Sequence, residues 1–238
     1  MTNDLAQRRQ FLISLGAAGL GLLVAAPHAR AEEDKEEEVS ANEDLMREHG
    51  LIRRALLVYG EAARRARTAP KTVPLKRLGE TAMLFRDFAE DYHERALEER
   101  HIFPVVRKLK TPVAKLPDVL LAQHQRGREI TDYVQRLATR ATLGADAEPL
   151  AHALEGFVRM YEPHAAREDT ELFPAWKTAL GERGYAEMGE QFEEIEHRTF
   201  GGDGFDDALE KIARIEVEFG LADLSTVTAP LPPANVAR

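Results

Sequence analysis

The chain has 238 residues and carries 32 Lys and Arg against 41 Asp and Glu, a net charge of −9. That balance excludes nucleic acid or an anionic membrane surface as the main partner. Cysteine is absent, so neither a disulfide nor a thiolate ligand is available, and any metal must be held by imidazole and carboxylate, a donor set that suits iron, manganese or zinc.

In chain order, "QRRQFL" (Gln7–Leu12) opens an apolar run to Ala26, and Ala29-Arg30-Ala31 supplies a small-residue cleavage site. Residues 1–31 therefore read as an export signal. The run is shorter than the roughly 18 apolar residues a spanning helix needs. Arg8-Arg9 followed by Gln10, Phe11 and Leu12 resembles the twin-arginine consensus, which implies periplasmic or secreted delivery of an already folded protein, often one carrying a cofactor. Such a signal is an address and leaves no membrane anchor once removed. Its loss takes away three Arg and one Asp and leaves the remainder still more acidic.

Residues 32–41 form an acidic linker. Ser40 or Asn42 caps a first helix, with Glu43 and Asp44 in its first turn and Leu45, Met46, His49, Ile52, Leu56, Leu57 and Tyr59 at helical spacing as far as about Arg67. "TAPKTVP" (Thr68–Pro74) ends it. A second helix is expected over about Leu75–Leu109, a third over Asp118–Thr142 and a fourth over Pro149–Leu180, separated by Pro- and Gly-containing loops. Two shorter helices near Gly184–His197 and Phe205–Phe219 follow, then a Pro-rich tail over 221–238. Strand signals are almost missing. The expected fold is all-α: an antiparallel four-helix bundle over 42–180 with a helical annex over 181–220.

One phrase is written twice. "YHERALEERHIFP" (Tyr92–Pro104) and "EPHAAREDTELFP" (Glu162–Pro174) each carry a histidine, a carboxylate four or five residues on, and an aliphatic residue before Phe-Pro. His49, His93, His124 and His164 fall one on each expected helix. Two helical hairpins related by a pseudo-two-fold axis would bring four imidazoles and two carboxylates to one place. His164 and Glu168 lie about 40° apart around a helix and can both face inward, whereas His93 and Glu98 would be splayed by about 140°. Either a π-bulge absorbs the extra residue, or Glu94 joins the site.

These residues resemble the haemerythrin-like (HHE cation-binding) family over about residues 41–177. The resemblance implies a four-helix bundle around a non-haem di-iron centre, with His49, His93, His124 and His164 as terminal ligands and Glu98 and Glu168 as bridges. Manganese is the other metal such a site suits. The oxygen-carrying members place a further histidine four residues after the one on helix three; here Arg128 stands there. Glu94, Glu129 or a water is expected to fill that position. The resemblance implies a small ligand, dioxygen, nitric oxide or peroxide, with the protein binding it, buffering iron, or turning it over by redox chemistry. Bridging carboxylates favour an iron pair over closed tetrahedral zinc. Phe85, Phe88, Phe103, Phe157 and Phe173 would wall the centre, or simply pack the core.

Two other readings stand beside this one. Glu98-x-x-His101 and Glu194-x-x-His197 match the Glu-x-x-His motif of ferritin-like carboxylate proteins, with Glu61 and Glu168 completing the set. A structural metal in an interaction module would leave a closed, inert site. Glu48 reads as a surface carboxylate. "GGDGFDD" (Gly201–Asp207) reads as a loop between helices, since nonapeptide calcium sites need stacked copies. The arginines of Arg53–Arg67 read as a solvated helix face. Neither a Ser/His/Asp context nor a P-loop is present. Whether the protein is an enzyme is left open, as is its oligomeric state.

Overall fold

The computed structural model describes residues 39–231. The expected export signal, most of the acidic linker and the last residues of the Pro-rich tail lie outside them.

Helix α1 is Ala41–Thr68. The Ser40 side chain accepts a hydrogen bond from the Glu43 N–H, Glu43 and Asp44 sit in the positive first turn, and Arg65 and Arg67 in the negative last one. Leu45, His49, Ile52, Leu56, Tyr59 and Ala63 form its buried stripe, the i, i+3, i+4 pattern of a core-facing helix. Ala69 breaks away ahead of Pro70.

Helix α2 spans residues 75–106, beginning as Leu75–Leu84, continuing with i→i+5 hydrogen bonding over Phe85–Ile102 and closing as Phe103–Val106. Helix α3 is Leu116–Ala138. It approaches the first part of α2 so closely that a Cβ on Gly79 would lie 2.8 Å from the Cβ of Ala138. Helix α4 runs from Ala147–Arg167 through a second i→i+5 segment, Glu168–Leu172, and on to Gly181. There a positive φ of 68° breaks the helical path, a conformation glycine adopts without a steric penalty. Helix α5 (182–200) follows at once and ends at Gly201, φ 75°. Asp203 caps α6, Gly204–Phe219, by accepting from the Asp206 N–H. The "GGDGFDD" stretch is thus a helix–helix junction.

The described residues contain no strand. The fold is an all-helical bundle, with differences from the expected plain rods. Helix α2 and helix α4 each carry a widened segment, and the expected fourth helix passes into the next with only Gly181 between. Helix α1 lies along α4 and the start of α2 lies along α3, while α6 packs against both α1 and α2. Ala208, Ile212, Ile215 and Phe219 are buried there. Arg54 pairs with Glu216, Arg65 donates to the Phe219 carbonyl and Arg77 pairs with Glu218. The α1 arginines are therefore not simply a solvated face: Arg53 and Arg67 also reach across, to Asp169 and to Glu148 and Glu155.

Candidate metal centre

The two widened segments position the carboxylates. The Phe103 N–H donates to the Glu98 carbonyl, and the Phe173 N–H to the Glu168 carbonyl, five residues back in both cases. Pro104 and Pro174 follow immediately. Each lacks an N–H and has a ring that clashes with the carbonyl of a regular preceding turn, so a wider turn there costs less than usual. His93 and Glu98 both lie within the first widened segment, where residues five apart share a face. His164 still lies in the regular part of α4, where four apart do. The five-against-four mismatch in the sequence is absorbed by this difference.

Glu98 and Glu168 are both fully buried, and His49, His93, His124 and His164 nearly so. All four imidazoles turn Nε2 inward. His49 and His93 face each other Nε2 to Nε2 at 3.0 Å, as do His124 and His164 at 3.2 Å. Glu98 reaches both pairs, with Oε1 3.5 Å from His93 Nε2 and Oε2 3.4 Å from His124 Nε2. Glu168 does the same, at 3.1 Å from His164 Nε2 and 3.5 Å from His49 Nε2. Two overlapping donor groups result at the centre, Glu98–His124–His164–Glu168 and His49–His93–Glu98, and a third, Glu94–Glu99–His124, lies on the Nδ1 side of His124; each could hold a metal ion.

The outward Nδ1 atoms are all engaged. His49 meets Asp169 at 2.6 Å, His93 meets Glu48, His124 meets Glu99 at 3.0 Å and His164 meets the Gln123 side-chain oxygen at 2.8 Å. An acceptor at Nδ1 fixes the proton there and leaves the Nε2 lone pair directed inward. Phe173 stacks on His49 and Phe103 on His124, both at 5.5 Å between centroids. Each Phe-Pro phrase thus backs a histidine of the other hairpin. Phe85 and Phe157 lie one layer away among Tyr59 and Tyr161, and Phe88 packs with Tyr92 and Phe200.

The electrostatics match a site that requires cations. The four carboxylate oxygens of Glu98 and Glu168 are buried with no hydrogen-bond partner, an expensive condition unless a positive charge completes it. Burial lowers His49 to about 3 and His124 and His164 to about 4, which keeps them neutral. Burial raises Glu168 to about 8 and also raises Glu98, whose neighbour Glu168 adds repulsion. His93 is the exception. Burial opposes its charge, but Glu98 and Glu48 outweigh that and hold it well above the usual histidine range. A proton on His93 is the one positive charge the centre supplies for itself.

The remaining sequence expectations divide. Glu94 is buried, but it sits behind the ring of His124, accepting from Tyr161 at 2.6 Å and Arg128 at 3.1 Å and lying 3.9 Å from His124 Nδ1. It stands apart from the central six, in the donor group that it forms with Glu99 and His124. Glu129 is exposed and turned toward Gln125 and Arg126, so it does not fill the Arg128 gap. Glu48 is buried against His93, correcting its reading as a surface carboxylate. The ferritin-like set does not assemble: Glu194 and His197 are exposed on α5, Glu61 is paired to Arg64 and Arg65, and His101 rests its ring on Phe192.

Sequence reasoning passed over Asp169, Glu99 and Gln123, and read Arg53 as part of a solvated face. The signal was in the repeat. Glu98 and Glu168 are each followed by a second carboxylate, and His-x-x-x-Arg occurs at both His49 and His124. Arg53 pairs with Asp169 at 2.5 Å and Arg128 with Glu99 at 2.5 Å. Arg128 is therefore one of two matched arginines, each steadying the carboxylate that steadies a histidine.

Comparison with known proteins agrees with this geometry. The hemerythrin HHE cation binding domain matches residues 40–176. The chain is 41% identical, over 93% of its own length and 90% of theirs, to the uncharacterized proteins Rv1995 of Mycobacterium tuberculosis (strain ATCC 25618 / H37Rv) and Mb2018 of Mycobacterium bovis (strain ATCC BAA-935 / AF2122/97). No solved structure matches at a comparable level.

Proposed function

The chain belongs to the hemerythrin HHE cation-binding family, and from that premise we propose that it holds a pair of non-haem iron ions and meets a small ligand there, dioxygen, nitric oxide or peroxide. His49 and His93 would serve one ion, His124 and His164 the other, with Glu98 and Glu168 shared between them. Manganese fits the same donors. The observation that carries the reading is the convergence of four inward Nε2 atoms with the four orphaned carboxylate oxygens of Glu98 and Glu168, where the protons held on His93 and Glu168 are ones that entering cations would displace.

Such a pair, once bound, supplies redox chemistry and coordination positions open to a small ligand. The chain's own residues do the rest. Neutral imidazoles donate without adding charge, and the two glutamates offset the repulsion between close cations. Phe103 and Phe173 keep water from the histidines they cover. With arginine at the position after His124 where the oxygen carriers have a further histidine, the donor set is two imidazoles per ion. That leaves more of each ion open than a closed structural site would, and it favours turnover of peroxide or oxygen over a purely structural metal. Export directed by residues 1–31 belongs to the same proposal, since the twin-arginine pattern suits a protein that is folded and loaded before delivery.

Metal analysis of the purified chain together with its absorption spectrum, before and after adding azide, tests the reading. Two ions per chain and near-ultraviolet charge-transfer bands that move with azide are expected. A chain that takes up no iron on reconstitution would sink the proposal, and bands indifferent to azide would reduce the metal to a structural one.

A further inference from the structure

The two half-sites turn the same kinds of atom inward, and among the four partners at Nδ1 only one breaks the pattern. At Nδ1 of His49 and of His124 stand carboxylates, Asp169 and Glu99, each tied to an arginine four residues beyond that histidine. At Nδ1 of His93 stands the carboxylate of Glu48, but at Nδ1 of His164 stands the amide oxygen of Gln123. Glu48 and Gln123 occupy the same place in the repeat, one residue before the histidine of the hairpin's first helix. A carboxylate accepting the Nδ1 proton draws it further from the ring and makes Nε2 a stronger donor than a neutral amide does. Glu94 does not restore the balance, because its oxygens are engaged by Tyr161 and Arg128 and the nearest is 3.9 Å from His124 Nδ1.

We infer that the two metal positions are unequal, with the His49/His93 position filled first and more tightly, and that Glu48 and Gln123 act as the positioning residues that set the difference. The inference rests on the two half-sites being metal positions. It assigns the His124/His164 side as the more exchangeable ion, the one more readily lost and reloaded.

Manganese(II) titration of the metal-free full chain, followed by electron paramagnetic resonance of free and bound ion, provides the test. Mutual repulsion of the ions separates two binding steps in any case, so the variants decide. Glu48→Gln should weaken the first step by about 10- to 100-fold, the usual range for an outer partner of a ligating histidine. Gln123→Glu should strengthen the second step and leave the first where it was. Both changes nearly preserve volume, and either one alone suffices if the other fails to fold. Unchanged steps in both variants, or Glu48→Gln weakening only the second step, would overturn the inference while leaving a two-metal protein. Absence of any bound manganese or iron in the parent chain would sink the proposed function along with it.

Discussion

The half of the site built on His49 and His93 and the half built on His124 and His164 present the same atoms to the centre, down to the Phe ring behind one histidine of each pair. Behind those atoms they part. Glu48 in one half answers to Gln123 in the other, Glu94 to Ala165, and Glu90 to Tyr161. Arg53 reaches its carboxylate from the surface with 43% of its side chain exposed, and Arg128 reaches its own from inside the bundle with 9% exposed. Two cations, if bound as proposed, would hold the inner ring to one pattern by their charge, whereas the ring behind it needs only to offer an acceptor to each Nδ1.

The shared glutamates give the strongest way to break the two-half arrangement. Glu98→Ala removes a donor from both positions at once and should abolish tight binding of both ions, whereas His124→Ala should spare the His49/His93 position and leave about one ion per chain. Metal content by mass spectrometry separates these outcomes, and equal loss in the two variants would refute a shared bridge. Metal-binding free energy is folding free energy in such sites, so the loaded parent should also melt well above Glu98→Ala, while the metal-free forms should differ far less.

The arginines sharpen the comparison. Arg128→Ala takes a hydrogen-bond donor from Glu94, Glu99 and the Glu90 carbonyl, a loss of about 1–3 kcal/mol. Arg53→Ala removes a half-exposed pair worth under about 1 kcal/mol. Urea unfolding of the metal-free protein reads both, and equal losses would mean that the two arginines are equivalent in burial as well as in sequence position.

The helices, their caps and the six inner residues were legible because each leaves a periodic or repeated mark: an i, i+3, i+4 stripe, a Ser before acidic residues, a histidine phrase written twice. The widened segments were half legible. The five-residue interval from His93 to Glu98 demanded either a bulge or a substitute ligand, and only the backbone path decides between them. The outer ring was hidden for a different reason. Glu48, Glu99 and Asp169 are charged residues in an acidic chain, and a sequence gives no sign of which carboxylates turn inward until the helices have been packed. Arg128 stood out only as the place where the oxygen carriers have a histidine; beside Arg53 it is also one of a pair.

A smaller effect separates the inner ring from the outer one by pH. In the metal-free protein His49, His124 and His164 refuse the protons that the unfolded chain takes up below about 6.5, so stability falls as pH drops toward 4. Asp169 and Glu99 work in the same direction. Burial opposes their charge, but their histidine and arginine partners hold both below the usual range, and that stability is lost in acid. Glu168 has the opposite sign. The folded state keeps its proton to about 8 while the unfolded chain releases it from about 4.5, so stability falls as pH rises across that interval, and the raised His93 adds to the fall. Below about pH 6.5 the three histidines outweigh Glu168, and above it Glu168 and His93 act together, so the metal-free protein should be most stable near pH 6.5. The loaded protein should instead gain stability toward pH 8, where the metal displaces the Glu168 proton. Melting temperatures across that range, with and without metal, would show the two curves crossing, and parallel curves would mean that no proton leaves the centre when the ions enter.

The smallest expected effect checks the border of the site. His101 rests on Phe192 outside all three donor groups, and Glu129 stands in solvent. His101→Ala and Glu129→Gln should leave metal content at the parent value, and Glu129→Gln should change stability by less than about 0.5 kcal/mol, as surface substitutions do. His101 is the more informative of the two, because it lies three residues beyond Glu98 and would be a ligand if the Glu-x-x-His grammar governed this bundle. Loss of an ion in His101→Ala would mean that α2 turns a different face inward when metal is present, and the symmetric pairing of the two hairpins would have to be abandoned. Retention of both ions would confine the centre to the six residues that the twice-written phrase and its two partner histidines provide.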